Sequence, residues 1–142
     1  MQADGLELVC RLRMAVLSQH ITRMHRIARC LGWLALAALV FVTIAPIGLR
    51  PVSGAPVSLE RLGAFAVFGF LFAFGYPKRL VQVLALVIIA AAGLEAFQLL
   101  EVTRHGRMAD FLVKAVGGGI GVAVGSGLAA LLALRQGVVA KF

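Results

Sequence analysis

The stretch LVQVLALVIIAAAGLEAFQLL, residues 80–100, is apolar almost throughout and contains a single carboxylate, Glu95. An apolar run of about 20 residues is long enough to cross the hydrocarbon core of a bilayer as one helix. A charge inside such a run is costly and is normally tolerated only where it has a partner or a function. The stretch therefore predicts a membrane-spanning helix and makes Glu95 the first candidate functional residue.

The rest of the chain has the same character, since 61% of its 142 residues are hydrophobic and only 14% are charged. Such a composition is far from that of an ordinary soluble domain. Three further apolar runs have lengths near that of a membrane span, at residues 31–49, 59–76 and 111–134. We therefore predict an all-α fold, a membrane-spanning four-helix bundle that forms one domain over residues 31–135.

The distribution of Lys and Arg predicts the orientation of this bundle. Cytoplasmic loops carry an excess of these residues. With the N-terminus inside, the inner segments hold nine of them and the outer loops hold four, namely Arg50, Arg61, Arg104 and Arg107. We predict a multi-pass protein of the cytoplasmic (inner) membrane with both termini in the cytoplasm and a short tail at residues 136–142. If the protein starts at Met24, the bias falls to six against four.

Residues 1–30 form a basic segment that precedes the first apolar run and is expected in the cytoplasm. Its apolar residues partly follow a helical period, which is typical of an amphipathic helix lying on an anionic membrane surface. A solvated extension is the alternative. Met14 and Met24 offer alternative starts to Met1, so part of this segment need not belong to the functional protein.

The net charge of +8 by itself suggests a nucleic-acid partner, but most of the positive charges flank apolar runs, where they orient helices and contact lipid headgroups. The sequence contains no nucleic-acid motif and no recognisable catalytic set. Cys10 and Cys30 are far apart and have no clustered histidines, so we expect free thiols. We predict no nucleic-acid partner, no cofactor, no metal and no catalytic residue; membrane lipids are the expected contacts.

A group of polar residues is expected near the outer surface. Glu95 and Gln98 share a helical face because they are three residues apart. At about 1.5 Å per residue, Glu95 lies roughly 9 Å below the end of its helix and Lys114 lies roughly 6 Å below the start of the next one. Because the two depths nearly match, we predict an ion pair between Glu95 and Lys114, with Asp110 close to Lys114. Arg104 or Arg107 is expected to fold over this pair from the loop. In the same loop, His105 is expected to cap or solvate the turn.

Two roles are open for this polar cluster. It can be structural, fixing the register of the helices through buried charges. It can instead be a site at the outer leaflet that binds a polar headgroup or moves a proton, and the nearby Lys114 favours ligand or headgroup binding over a proton relay. The candidate ligand site then consists of Glu95, Gln98, Arg104, His105, Asp110 and Lys114.

Small residues repeat along the fourth apolar run, with glycine at every fourth position at Gly117, Gly121 and Gly125. A stripe of small residues lets two membrane helices approach closely. Packing inside the four-helix bundle and homodimerisation are the two alternatives for this glycine stripe.

With these residues identified, residues 44–125 resemble the VanZ-like family of small integral membrane proteins. The resemblance rests on the segment TIAPIGLRP, on an acid–base pair that opens the second run, and on a spaced pattern in the third and fourth runs: Glu60, Arg61, Glu95, Gln98, Arg104, His105, Asp110, Gly117 and Gly121. The chain departs from the family pattern at Ala64, where a histidine is common, and at Lys114, where an asparagine is common.

The resemblance implies a membrane protein of the cell envelope, because the family is named for a member associated with low-level resistance to the glycopeptide teicoplanin. Our leading hypothesis is a protein that acts at the outer leaflet in cell-envelope or lipid-linked processes and binds an envelope component through the polar cluster. The alternative is a non-catalytic accessory or assembly subunit of a larger membrane complex. A small transporter has less support, since the chain has no inverted repeat or broken helix.

Overall fold

The structure is a computed structural model that describes the backbone at residues 2–44, 56–99 and 108–139 and the side chains at residues 11–13, 15–43, 56–96 and 108–135. These residues form four α-helices and no strand: α1 (Gln2–Ile44), α2 (Val57–Gly75), α3 (Leu80–Leu99) and α4 (Met108–Val139). The predicted all-α fold is therefore confirmed.

Three of the helices are long and apolar enough to cross a membrane, over Arg11–Thr43, Val57–Gly75 and Met108–Arg135. The part of α3 whose side chains are described, Leu80–Ala96, is a shorter apolar helix. The structure thus confirms a helical protein with the length and composition of a membrane protein.

Helix α1 is a single element of 43 residues. The helix joins the basic residues 2–30 to the apolar residues that follow, so the domain boundary expected at residue 30 does not coincide with a helix end. No proline occurs before Pro46, and proline is the residue that most strongly interrupts a helix. Helix α1 is continuous because no proline interrupts it.

Helices α2 and α3 form a hairpin, because the segment YPKR, residues 76–79, is a tight turn between them. The Tyr76 amide donates to the Phe72 carbonyl at 2.8 Å, and the Arg79 amide donates to the Tyr76 carbonyl at 2.9 Å. Pro77 lies in the turn, where its fixed φ angle favours the reversal of the chain. The α2–α3 turn (residues 76–79) therefore lies at the opposite end of the bundle from the N-terminus of α2.

Helix α2 lies at the centre of the fold and contacts the three other helices. Its aromatic residues Phe65, Phe68 and Phe72 are almost fully buried, with ring centroids 5.0 to 6.0 Å apart in edge-to-face geometry. They pack with Val87 and Ala91 of α3 in the main apolar core. Edge-to-face aromatic pairs add about 0.5–1.5 kcal/mol each beyond the area that they bury.

The glycine stripe of α4 lies against α2 in the same chain. A Cβ atom placed on Gly117, Gly121 or Gly125 would be closer than 3.0 Å to backbone atoms of α2, which real Cβ atoms essentially never are. The backbones that approach in this way belong to Leu62, Ala66 and Phe70. Of the two alternatives for the stripe, packing within the bundle is the one present in the structure, and a dimer could use the stripe only after α2 had left it.

Candidate functional site

The directions of the helices bring three helix ends together. The partners of the glycine stripe advance along α2 as the residue number rises along α4, from Leu62 to Phe70, so α2 and α4 are parallel. Helix α3 runs the opposite way, because it follows α2 through a tight turn. The N-termini of α2 and α4 and the C-terminus of α3 therefore lie at one end of the bundle, which we call the polar end.

The predicted ion pair between Glu95 and Lys114 is present at the polar end. The Lys114 Nζ atom donates to the Glu95 Oε2 atom at 2.5 Å. Glu95 is 8% exposed and Lys114 is 3% exposed, so solvent scarcely reaches this deep ion pair. The prediction from the sequence works because matched depth on neighbouring antiparallel helices brings the two charges together.

Periodicity explains why both side chains point into the protein. On α3, Glu95 continues a row of buried residues at four-residue spacing that comprises Val83, Val87 and Ala91. On α4, Lys114 lies one turn before the buried Gly117 and Gly118. The backbone of Gly118 in turn approaches Val87 and Phe65. The deep ion pair therefore lies directly next to the closely packed centre of the bundle.

A second ion pair lies nearer to the helix ends and joins α2 to α4. The Arg61 Nη1 atom donates to the Asp110 Oδ2 atom. Their side chains are 30% and 26% exposed, so this rim ion pair is open to its surroundings, whereas the deep ion pair is closed. Asp110 is expected from its spacing to lie close to Lys114, but its ion-pair partner is Arg61.

Sequence reasoning did not predict Arg61 as a member of this cluster. Arg61 lies on the second turn of α2, and Asp110 lies on the first turn of α4. Once the two helices are known to be parallel, their first turns lie at the same end and opposite charges become natural partners. The sequence contains both charges but gives no signal that α2 and α4 are neighbours.

The remaining predicted site residues lie outside the described side chains. They are Gln98, Arg104 and His105, together with the loop residue Arg107. The backbone of Gln98 is described as part of α3, but its side chain is not. Their proposed part in a ligand site stays a prediction.

Among the described side chains of the polar end, those at its rim are the ones that a polar ligand can reach. The rim ion pair presents a guanidinium group and a carboxylate that are partly exposed. The deep ion pair has little contact with solvent and ties α3 to α4 beneath that rim. Among the described residues, no group of three or more His, Cys, Asp or Glu side chains is arranged to hold a metal ion.

The fold and the site together define a helical protein with the length and composition of a membrane protein. At its polar end it has two ion pairs, one buried and one partly exposed. Searches of family models, curated proteins and solved structures gave no match to the chain. The VanZ-like resemblance therefore rests on the residue pattern alone.

Proposed function

We propose that the chain is a VanZ-like, multi-pass protein of the cytoplasmic membrane in which all four helices cross the bilayer and both termini lie in the cytoplasm. In this proposal it acts at the outer leaflet, in a cell-envelope or lipid-linked process. The rim ion pair, Arg61 with Asp110, contacts a polar envelope component, and the deep ion pair holds the helices in register beneath it.

The lengths of the helices support four crossings. Helix α3 has 20 residues, which at about 1.5 Å per residue gives about 30 Å, close to the thickness of the hydrocarbon core. The α2–α3 turn carries exposed Lys78 and Arg79, and positive charge of this kind favours the cytoplasmic side. The polar end, opposite this turn, is then outside.

The difference in exposure between the two ion pairs is the observation that carries the proposed site. Exposed ion pairs contribute little to stability, in the range of about 0–1 kcal/mol, because solvent screens the charges. The side chains of Arg61 and Asp110 are 30% and 26% exposed, so separating them costs little free energy. Both groups can therefore exchange their mutual contact for contacts with a ligand. The deep ion pair cannot open in this way without leaving a charge in an apolar interior.

Complementation tests the site. A strain without the gene is compared with the wild type for sensitivity to envelope-directed antibiotics, including a glycopeptide, and is then complemented with variants. Arg61→Gln should fail to restore resistance, whereas Arg135→Gln, which removes an exposed charge near the other end of α4, should restore it fully. Full rescue by Arg61→Gln at equal protein level would contradict the proposed site.

Cysteine labelling tests the orientation. With Cys10 replaced by serine, the exposed thiol of Cys30 should resist a membrane-impermeant maleimide in intact spheroplasts and react after lysis. A Met108→Cys variant, at a position that is 75% exposed at the polar end, should react in intact spheroplasts if Cys30 is also replaced. The reverse pattern would place the polar end inside.

The second candidate function is an accessory subunit of a larger membrane complex. It is favoured by the fact that both ion pairs are satisfied within the chain, so no ligand is needed to neutralise them. Purification in a mild detergent would recover stoichiometric partners if this candidate is correct. Recovery of the chain alone, together with a failure of Arg61→Gln to complement, would favour the ligand site.

A further inference from the structure

A cavity of about 840 Å³ opens at the end of the bundle opposite the polar end. It lies between α1, the α2–α3 turn and the C-terminal half of α4, and we call it the basic cavity. Its lining comes from three distant parts of the sequence, which are residues 18–29, residues 76–80 and residues 126–133. It shares no residue with the two ion pairs.

The charge of the basic cavity has one sign. Arg26, Arg29, Lys78 and Arg79 all line it, and His25 lies beside them. No acidic residue is among the described residues that form its wall. Within the described side chains, the ion pairs are those of the polar end, so these four cations have no carboxylate partner there. Positive charges gathered in one cavity repel each other, and an anion bound among them removes that repulsion.

One of these cations is held in place by its neighbours. The Arg29 Nε atom donates to the Gly75 carbonyl at 2.7 Å, and the guanidinium carbon lies 4.8 Å from the centre of the Tyr76 ring. Next to it, the His25 Nδ1 atom is 2.5 Å from the Phe74 carbonyl oxygen. These contacts satisfy carbonyls at the C-terminus of α2, which would otherwise lack partners. Arg29 therefore presents its two Nη groups from a fixed position, and such a fork suits the oxygens of a phosphate.

The serine and threonine residues that line the basic cavity are engaged within their own helices. The hydroxyls of Ser18, Thr22 and Ser126 donate to backbone carbonyls three or four residues earlier. The donors that remain for a ligand are the cationic side chains and the Tyr76 hydroxyl, which accepts from the Trp33 Nε1 atom at 3.4 Å. Because most of these donors carry a positive charge, they favour an anion over a neutral polar molecule.

Apart from Ser126, the wall of the basic cavity on the α4 side is apolar. Ala129, Ala130 and Ala133 form it, and Leu80 and Ile21 complete the apolar lining. A small inorganic anion makes no use of such a wall, whereas the glycerol and upper acyl region of a lipid does. Basic pockets between membrane helices are known to bind the head groups of anionic lipids.

We propose that the basic cavity binds the phosphate group of an anionic phospholipid, with Arg29 as its fixed ligand and with Arg26, Lys78 and Arg79 as exposed cations around it. This site is independent of the proposed function at the polar end. It would make the packing of α1 against the α2–α3 turn depend on lipid composition, because both elements supply cations to one anion.

The test uses the full-length chain in detergent and follows lipid binding by native mass spectrometry. The probes are phosphatidylglycerol, which is anionic, phosphatidylcholine, which carries a phosphate but no net charge, and inorganic phosphate. Phosphatidylglycerol should bind at least about tenfold more tightly than phosphatidylcholine. At about fivefold per basic residue, the double variant Arg26→Gln with Lys78→Gln should lose about 30-fold in affinity for phosphatidylglycerol.

The matched control is Arg13→Gln, which removes an exposed charge from the same helix outside the cavity and should leave the affinity unchanged. Arg26 and Lys78 are exposed, and circular dichroism together with the fluorescence of the single tryptophan checks that the double variant is folded. Equal binding of the two lipids would overturn the proposal. An Arg13→Gln variant that loses as much affinity for phosphatidylglycerol as the double variant would also overturn it, because such a loss indicates general attraction to the charged surface. If inorganic phosphate binds and phosphatidylglycerol binds no more tightly than it, the assignment of a lipid as the ligand is overturned. Free phosphate is then the ligand.

Discussion

Gly121→Ala provides the sharpest test of the packing between α2 and α4. A Cβ atom at residue 121 would meet the Ala66 carbonyl and the Phe70 amide nitrogen at distances below 3.0 Å. These are backbone atoms of α2, which cannot rotate away as a side chain can. The two helices must therefore separate, and this loses contacts along the whole glycine stripe.

The magnitude follows from a comparison within the same helix. At Gly119, two residues earlier, an added Cβ atom meets nothing within 4 Å. Both substitutions gain the helix propensity of alanine over glycine, up to about 1 kcal/mol. Only Gly121→Ala carries the cost of overpacking, about 1–3 kcal/mol. The difference between the two variants is thus expected to be about 1–3 kcal/mol, with Gly119→Ala equal to the wild type or more stable.

The assay is unfolding of the purified protein in mixed micelles, with increasing fractions of a denaturing detergent, followed by far-ultraviolet circular dichroism. The fluorescence of Trp33, which packs edge-on to Phe72 at 5.3 Å, reports the contact between α1 and α2 in the same experiment. If Gly121→Ala and Gly119→Ala have the same free energy of unfolding, the close parallel approach of α2 and α4 is refuted. A loss in both variants would refute the open environment of Gly119.

Three further predictions concern single contacts, all measured by the same unfolding assay. Lys114→Met removes the Lys114 cation from the buried Glu95 carboxylate and should cost about 3–5 kcal/mol, whereas Lys114→Met combined with Glu95→Gln should cost clearly less. Additive losses in the double variant would contradict direct pairing. Asp110→Asn should lower the free energy of unfolding by no more than about 1 kcal/mol, because the ion pair of Asp110 with Arg61 is partly exposed. A loss as large as that of Lys114→Met would show that solvent does not reach the rim ion pair. Trp33→Leu should cost about 1 kcal/mol through the lost aromatic contact, and no loss would place α1 away from α2.

The deep ion pair could be predicted from the sequence because the prediction needed only local geometry. Rise per residue fixes the depth of a side chain below the end of its helix, and a short connection makes consecutive helices antiparallel neighbours. The rim ion pair could not be predicted from local geometry alone. Arg61 and Asp110 lie on helices that are not consecutive, and their meeting depends on the parallel packing of α2 on α4.

The sequence by itself determined the elements of this protein: four helices, the hairpin turn at Tyr76 and a buried carboxylate with a cation at matching depth. These follow from backbone hydrogen bonding and apolar periodicity, which act over a few residues. Only the tertiary structure decided which helix covers the glycine stripe, which base meets Asp110, and that α1 and the α2–α3 turn line a cavity whose cations have no carboxylate partner among the described side chains. The reason is that apolar helix faces of similar composition carry little information about their partners, so the choice among them depends on the fit of whole surfaces.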